Sequence, residues 1–262
     1  MGFQIDNICF YYENRDVLDG ISISLEFGHF YGIVGPNGCG KTTFIDILMR
    51  HKHPGSGTVK YQNKNIGLYS RKELAREIAL VPQNFYINFP FTAGEIVLMG
   101  RTPHIPKFSA PSSHDFDIVD DIMAKTGADK FRNRFITELS GGERQRVVFA
   151  RALAQDTPVL MLDEGTSNLD INHTLNLLDI VAKDVEEKNK TVISVFQDIN
   201  LAAMYCDVLI FMKQGKIAAS GEKDKVLTEE NIKKVFSVDS KVFFEPYSNF
   251  RKVAFKRRFL GS

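Results

Sequence analysis

The run Gly35-Pro36-Asn37-Gly38-Cys39-Gly40-Lys41-Thr42-Thr43 constrains this chain more than any other, because it joins the apolar stretch Phe30-Tyr31-Gly32-Ile33-Val34 to the amphipathic stretch Phe44-Ile45-Asp46-Ile47-Leu48. A buried strand has to turn into a helix through a glycine-rich loop, and that context gives the GxxxxGK[ST] pattern its meaning. Gly35, Gly38 and Gly40 have no Cβ, so the backbone can take positive φ and aim successive N–H groups at one point as an anion nest. The helix opening at Lys41 adds unpaired N–H groups and the positive end of its dipole. A triphosphate is the natural guest, with the Lys41 ammonium reaching its β- and γ-phosphates and the Thr42 hydroxyl suited to Mg2+.

A strand, loop and helix of this kind need a sheet around them. The segment 3–27 reads as β structure, and Ile21-Ser22-Ile23-Ser24-Leu25-Glu26 alternates with the period of a half-buried strand, so an antiparallel layer lies on one side of the loop, joined by residues 58–61. The phosphate-loop helix is expected to end near His51-Lys52-His53-Pro54-Gly55, where basic side chains suit the dipole and Pro-Gly stops the helix. A short strand, Ala79-Leu80-Val81, follows. Residues 84–155 change to helical spacing, with Phe116, Val119, Ile122, Met123 and Thr126 on one face and Pro90, Pro103, Pro106 and Pro111 in the loops. Strands and helices then alternate: 159–162, a helix carrying Leu175, Leu178, Ala182 and Val185, 191–196, and a last strand at 207–212 that turns through Gln214-Gly215 into a hairpin. The near-continuous apolar strands belong to a sheet covered on both faces. The fold class expected is α/β: a phosphate-loop NTPase core with a mostly parallel sheet, an N-terminal antiparallel β layer and an inserted helical subdomain. As one domain the chain divides into a core of 1–83 and 156–240, a helical subdomain of 84–155 and a C-terminal tail of 241–262.

Composition removes several function classes. With 33 basic and 32 acidic side chains the formal charge is +1, which gives no electrostatic footprint for nucleic acid. Lys252, Lys256, Arg257 and Arg258 make the tail locally basic and read as a solvated end. Cys9, Cys39 and Cys206 are odd in number and widely spaced, a reduced cytosolic pattern, and the six histidines show no zinc-ligand spacing. No apolar run approaches the roughly twenty residues of a membrane span, no signal peptide opens the chain, and Asp6 stands where a myristoylation motif wants Ser or Thr. Any work at a membrane therefore needs a partner to hold the chain there.

Two further stretches carry chemistry. Val159-Leu160-Met161-Leu162-Asp163-Glu164 is an apolar strand closing on two carboxylates. Downstream of a phosphate loop, Asp163 would hold Mg2+ through water and Glu164 would accept the proton of the attacking water. Leu139-Ser140-Gly141-Gly142-Glu143-Arg144-Gln145 has the S-x-x-E spacing of a capping box. Capping does not require Gly141 and Gly142, which expose the donors of a helix N-terminus to an anion and so make a second phosphate surface. Only the first surface has the lysine and cation ligands. A head-to-tail homodimer, with the second surface of one copy closing over the γ-phosphate held by the other, uses both.

In the order phosphate loop, LSGGE run and Asp-Glu strand, the chain resembles the ATPase subunit of an ATP-binding cassette (ABC) transporter over about residues 3–244. The resemblance implies ATP and Mg2+ as cofactors, with residues 35–43 as the Walker A loop, 159–164 as the Walker B strand and Glu164 as general base. It implies that Gln83 touches Mg2+ and the attacking water, that Ser167-Asn168-Leu169-Asp170 is the D-loop facing the other subunit, and that Tyr12 stacks on adenine, with Phe10 and Tyr11 as neighbours that could serve instead. Leu98-Met99-Gly100-Arg101, Asp170-Ile171-Asn172-His173 and Val235-Phe236-Ser237-Val238 are similar to the branch that imports ferric siderophores, haem and cobalamin. The run Phe85-Tyr86-Ile87-Asn88-Phe89-Pro90-Phe91 lies where that family docks a cytoplasmic helix of its membrane partner, or its rings fill the helical subdomain.

The chain departs from the family pattern at two positions: Gly165 replaces a proline after the catalytic Glu, which loosens the backbone there, and Gln197 replaces the switch histidine. A glutamine amide donates hydrogen bonds but cannot relay a proton. The implied protein is an ATP-hydrolysing importer subunit on the cytoplasmic face of the inner membrane, with transmembrane permease subunits and, indirectly, an extracytoplasmic substrate-binding protein as partners. The alternative is a nucleotide-binding regulatory subunit with weak hydrolysis because of Gln197.

Overall fold

The computed structural model describes residues 2–13, 15–85, 87, 89–166 and 169–256. In chain order the strands are β1 (Phe3–Tyr12), β2 (Arg15–Leu25), β3 (Phe30–Val34), β4 (Ser56–Tyr61), β5 (Lys64–Asn65), β6 (Ile78–Val81), β7 (Val159–Asp163), β8 (Thr191–Val195), β9 (Val208–Lys213), β10 (Lys216–Glu222), β11 (Ser240–Glu245) and β12 (Phe250–Phe255). The helices are α1 (Lys41–Leu48), α2 (Arg71–Glu77), α3 (Ala93–Leu98), α4 (Ser113–Thr126), α5 (Gly141–Ala154), α6 (Ile171–Lys188), α7 (Ile199–Tyr205), α8 (Lys223–Val226) and α9 (Glu229–Phe236). Two compact units result, one of residues 1–68 and 193–262 and one of residues 69–192.

In the first unit, the expected antiparallel layer forms with strand order β2-β1-β4-β5. Its alternation holds: Leu18, Ile21 and Leu25 are buried while Ser22 and Ser24 face out, and Ile5 sits opposite both Ile23 and Val59. Strand β3 is buried along its whole length, as a central parallel strand must be, and pairs in parallel with β9, Ile33 opposite Ile210. The hairpin from β9 to β10 turns at Gln214 and Gly215, both at positive φ (48° and 77°), the conformation that two-residue hairpin loops require.

Two expectations change here. Helix α1 ends at Leu48, before Pro54-Gly55, because Arg50 adopts a left-handed φ of 56° and the following amides close back: His51 N–H and Lys52 N–H both donate to the Asp46 carbonyl. The basic side chains of His51 and Lys52 pair with the Asp46 carboxylate and not with the helix end. The strand at 208–213 is also not the last. Residues 240–255 form the β11–β12 hairpin, in which Val242 faces Val253. Asn200 of α7 fastens it: Val253 N–H donates to Asn200 Oδ1 (2.8 Å) and Asn200 Nδ2 donates to the Val253 carbonyl (3.2 Å). On the other strand, Val242 N–H donates to Glu229 Oε1 (3.1 Å). Lys252 and Lys256 thus belong to or adjoin an ordered strand, while Arg257 and Arg258 lie outside the described residues.

The second unit contains β6 and β7, parallel with Val81 opposite Leu162, and the helices α2 to α6. Ile96, Val97, Val119, Met123, Ile136, Val147 and Ala150 are buried together as a core of α3, α4 and α5. On α4 the expected stripe holds at Val119, Met123 and Thr126, which are buried, and at Ile122, which packs on the core, but not at its first position. Phe116 is 43% exposed, and its neighbour Asp115 takes the inward place, buried against Arg101. The α6 stripe buries Leu177, Leu178, Val181 and Val185, with Leu175 and Ala182 at its margins. No helix among the described residues is long and apolar enough to cross a membrane.

Candidate functional site

The phosphate loop is built by close packing against its surroundings. A Cβ on Gly35 would lie 2.2 Å from the Met212 carbonyl oxygen, and one on Gly40 would lie 2.7 Å from Leu18 Cδ2. Gly38 and Gly40 take φ of 74° and 105°, and Gly40 opens α1 with no side-chain cap, leaving the first-turn donors to the loop's interior. Lys41 is buried, its ammonium donating to the carbonyls of Gly35 (2.8 Å) and Pro36 (3.1 Å), so the charge is folded over the nest from the inside. Thr42 is exposed and Thr43 buried, with Asn37 exposed at the rim. Burial pushes the Cys39 thiol up, with nearby Lys41 opposing, so this loop cysteine is a packing group.

The other expected residues of the first unit are Tyr12 and Gln197. The Tyr12 ring is 48% exposed and packs edge-on against Phe10 at 4.9 Å between centroids, with the Lys52 ammonium 6.0 Å from its own centroid. It is not spent as core filling. Gln197 is exposed and follows buried Phe196, whose N–H donates to the Ile33 carbonyl (3.0 Å) two residues before Gly35. It therefore emerges at the end of β3 where the phosphate loop begins. Asp198 then caps α7, accepting from Asn200 N–H at 2.7 Å.

In the second unit, Gln83 and Glu164 are brought together from 81 residues apart: Gln83 Nε2 donates to Glu164 Oε2 across 2.7 Å. Asp163 and Glu164 are both buried, and Glu164 holds a left-handed φ of 53°. Gly165 is not the loose joint its residue type suggests. It is buried, a Cβ there would lie 3.0 Å from Val81 Cγ1, and its carbonyl accepts from Gln145 Nε2 at 2.6 Å. Sequence reasoning passed over Gln145. The available signal was position: residues 145, 148, 149 and 152 fall on one stripe of α5, and a polar side chain on an otherwise apolar stripe needs a partner.

The LSGGE run forms the capping box expected of it. Ser140 Oγ accepts from Glu143 N–H (3.3 Å) and Ser140 N–H donates to Glu143 Oε2 (2.8 Å), a complete capping box. The Ser140 donors hold the Glu143 carboxyl below the usual range, with Arg134 adding a 3.2 Å ion pair. Gly141, by contrast, has nothing within 4 Å of where its Cβ would be. The space beside Gly141 is open. Asp170 caps α6, accepting from His173 N–H at 2.9 Å, which lowers its pKa, and its carboxylate also meets His173 Nδ1 at 2.8 Å. Ser167 and Asn168, read as the rest of the D-loop, lie outside the described residues.

The aromatic run after Gln83 divides. Phe85 and Ile87 pack on the helical core, Phe85 under the Arg151 guanidinium at 4.7 Å, whereas Phe89 and Phe91 are 69% and 38% exposed. Tyr86 and Asn88 lie outside the described residues.

The ABC transporter family matches residues 18–167. The cobalamin import ATP-binding protein BtuD of Halobacterium salinarum is 40% identical over 230 residues, 88% of this chain, and the chain spans 57% of that relative's length. The ferric enterobactin transport ATP-binding protein FepC of Escherichia coli is 36% identical over 235 residues, covering 90% of this chain and 87% of FepC. Among solved structures, an inward-facing metal-chelate-type ABC transporter matches with a TM-score of 0.82 at 27% identity over 98% of this chain and 97% of the other. The dimeric cassette MJ0796 in a post-hydrolysis state with ADP and Pi matches with a TM-score of 0.75 at 27% identity, over 84% of this chain and 98% of the other. With a glycine-lined loop, a held Asp-Glu strand end and a capped LSGGE helix all in place, the chain belongs to the ABC transporter family.

Proposed function

We propose that the chain is the MgATP-binding and ATP-hydrolysing subunit of an importer for a ferric siderophore, haem or cobalamin, working as a homodimer against transmembrane permease subunits on the cytoplasmic face of the inner membrane. An extracytoplasmic binding protein would deliver the cargo. The observation that carries the hydrolytic reading is the buried Glu164 carboxylate held by Gln83, the pair a general base and its orienting amide would form. The relatives named for cobalamin and ferric enterobactin support the cargo class, and the dimeric ADP-bound cassette supports assembly and turnover.

In this reading the phosphates sit on the N–H groups of residues 35–43, with Lys41 turning from the Gly35 and Pro36 carbonyls to the β- and γ-phosphates. Tyr12 takes the adenine. Ser140, Gly141 and Gly142 of the second copy close over the γ-phosphate, which is what the open space at Gly141 admits. Asp170 is held ready as a capped carboxylate near the subunit boundary. Thr42, Gln83 and Asp163 offer a hydroxyl, an amide oxygen and a carboxylate, an all-oxygen set that suits Mg2+. Gln83 fits this role because its nitrogen is already committed to Glu164. Bound there, the cation would neutralise charge on the phosphates. Glu164 takes the proton of the attacking water, and Gln197 donates a hydrogen bond at the γ-phosphate where a histidine would also shuttle a proton.

The regulatory reading rests on Gln197 and is the weaker one, since Lys41, Asp163 and Glu164 are all present. Phosphate release from the subunit with its co-purified permease decides between them. The proposal expects turnover that Glu164→Gln abolishes, with ATP-dependent uptake of ferric chelates, haem or cobalamin in vesicles. Absence of turnover above the Glu164→Gln background would overturn it.

A further inference from the structure

We infer that Gln145 is a positioning residue for Glu164, acting through the carbonyl of Gly165; the inference rests on the hydrolytic reading of Glu164 given above. Glu164 sits at φ 53°, a left-handed conformation that L side chains resist, so something must hold it there. Glycine at 165 spares Glu164 the bias toward extended backbone that a proline places on the residue before it. A side chain at 165 would press on its surroundings, since a Cβ there comes 3.0 Å from Cγ1 of buried Val81.

What remains is the hydrogen bond. Gln145 is 6% exposed on the stripe of α5 that also buries Val148, Phe149 and Ala152, so its amide is fixed by packing on a fourteen-residue helix. Its Nε2 meets the Gly165 carbonyl at 2.6 Å. Glu164 is therefore held at its carboxylate by Gln83, and the residue after it is anchored at its carbonyl by Gln145.

The test uses the subunit with its permease partner and the variants Gln145→Met, which keeps the volume without a donor, and Gln145→Ala. The expected result is a kcat reduced about tenfold, the worth of one lost hydrogen bond, with the KM for ATP within error of wild type and a melting temperature lower by only a few degrees in the Met variant. In a Glu164→Gln background, where the base is already gone, Gln145→Met should leave the residual single-turnover rate unchanged. Wild-type kcat in Gln145→Met, or the same fold-loss with and without Glu164, overturns the inference. A Glu164→Gln protein that still turns over at the wild-type rate would instead overturn the hydrolytic reading itself, so the two failures are separable.

Discussion

The Gln83 side chain donates to the Glu164 carboxylate across 2.7 Å, tying the residues that follow β6 to those that close β7. A hydrogen bond to a charged group is worth about 1.5–3 kcal/mol. Gln83→Ala is expected to lower kcat by roughly 10- to 100-fold on that basis, while affinity for metal-free ATP, read by fluorescence titration of a labelled nucleotide in chelator, changes little.

Lys41 is the loop's only side-chain cation, and it is folded onto the carbonyls of Gly35 and Pro36. Lys41→Ala should weaken nucleotide binding by about 10- to 100-fold, the scale of one charge-assisted contact. Equilibrium dialysis with ATP checks it, and binding at wild-type affinity would refute the assignment.

Gln197 can donate at the γ-phosphate but cannot relay a proton. Gln197→His is therefore expected to raise steady-state phosphate release, by about tenfold if it supplies even part of an acid–base contribution. Identical turnover in the two proteins would remove Gln197 from the machinery.

Among the described residues, a Cβ on Gly141 would meet nothing beyond its own helix and neighbours, so a side chain there should chiefly disturb what arrives from outside. Gly141→Asp adds a negative charge in the first turn of α5, which favours the helix but repels a phosphate. It should melt at or above the wild-type temperature yet fail to form the ATP-dependent dimer in a Glu164→Gln background, as read by sedimentation.

Asp115 carries the clearest pH signature. The Ser112 hydroxyl and N–H, with the Arg101 guanidinium, hold its carboxyl down at about 2 from 3.8. Because the folded value is the lower one, the stability it contributes is complete above 3.8 and is lost as pH falls toward 2. Asp115→Asn should flatten the dependence of melting temperature on pH between about 4 and 2, while leaving Arg101 buried without its carboxylate and the protein less stable at neutral pH.

What could be read in advance was the chemistry that is local in sequence. The phosphate loop, the Asp-Glu strand end and the Ser140 cap each announce themselves within a few residues. Gln83 and Glu164 were each expected at the site, but their pairing was not, since nothing local to either residue names the other. On α4 only Phe116 fell off the expected face, because hydrophobic spacing cannot anticipate a buried carboxylate: Asp115 takes that place, bonded to Arg101 from the turn after α3. The β11–β12 hairpin escaped because its aromatic residues do not alternate: Phe243 and Phe244 are both exposed, 43% and 56%. Its order comes from clamps on Asn200 and Glu229, distant residues that look like ordinary helix polar groups.

Those two clamps fall on the same rung, since Val242 and Val253 face each other in the hairpin. Each has an outward backbone group already taken by a side chain. A two-stranded sheet normally offers both its edges to any passing strand. Here the midpoint of each edge is plugged, so an incoming strand could pair only by first evicting Asn200 or Glu229. The hairpin is thereby a dead end for sheet growth, which allows it to display bare aromatic rings without becoming a template for aggregation.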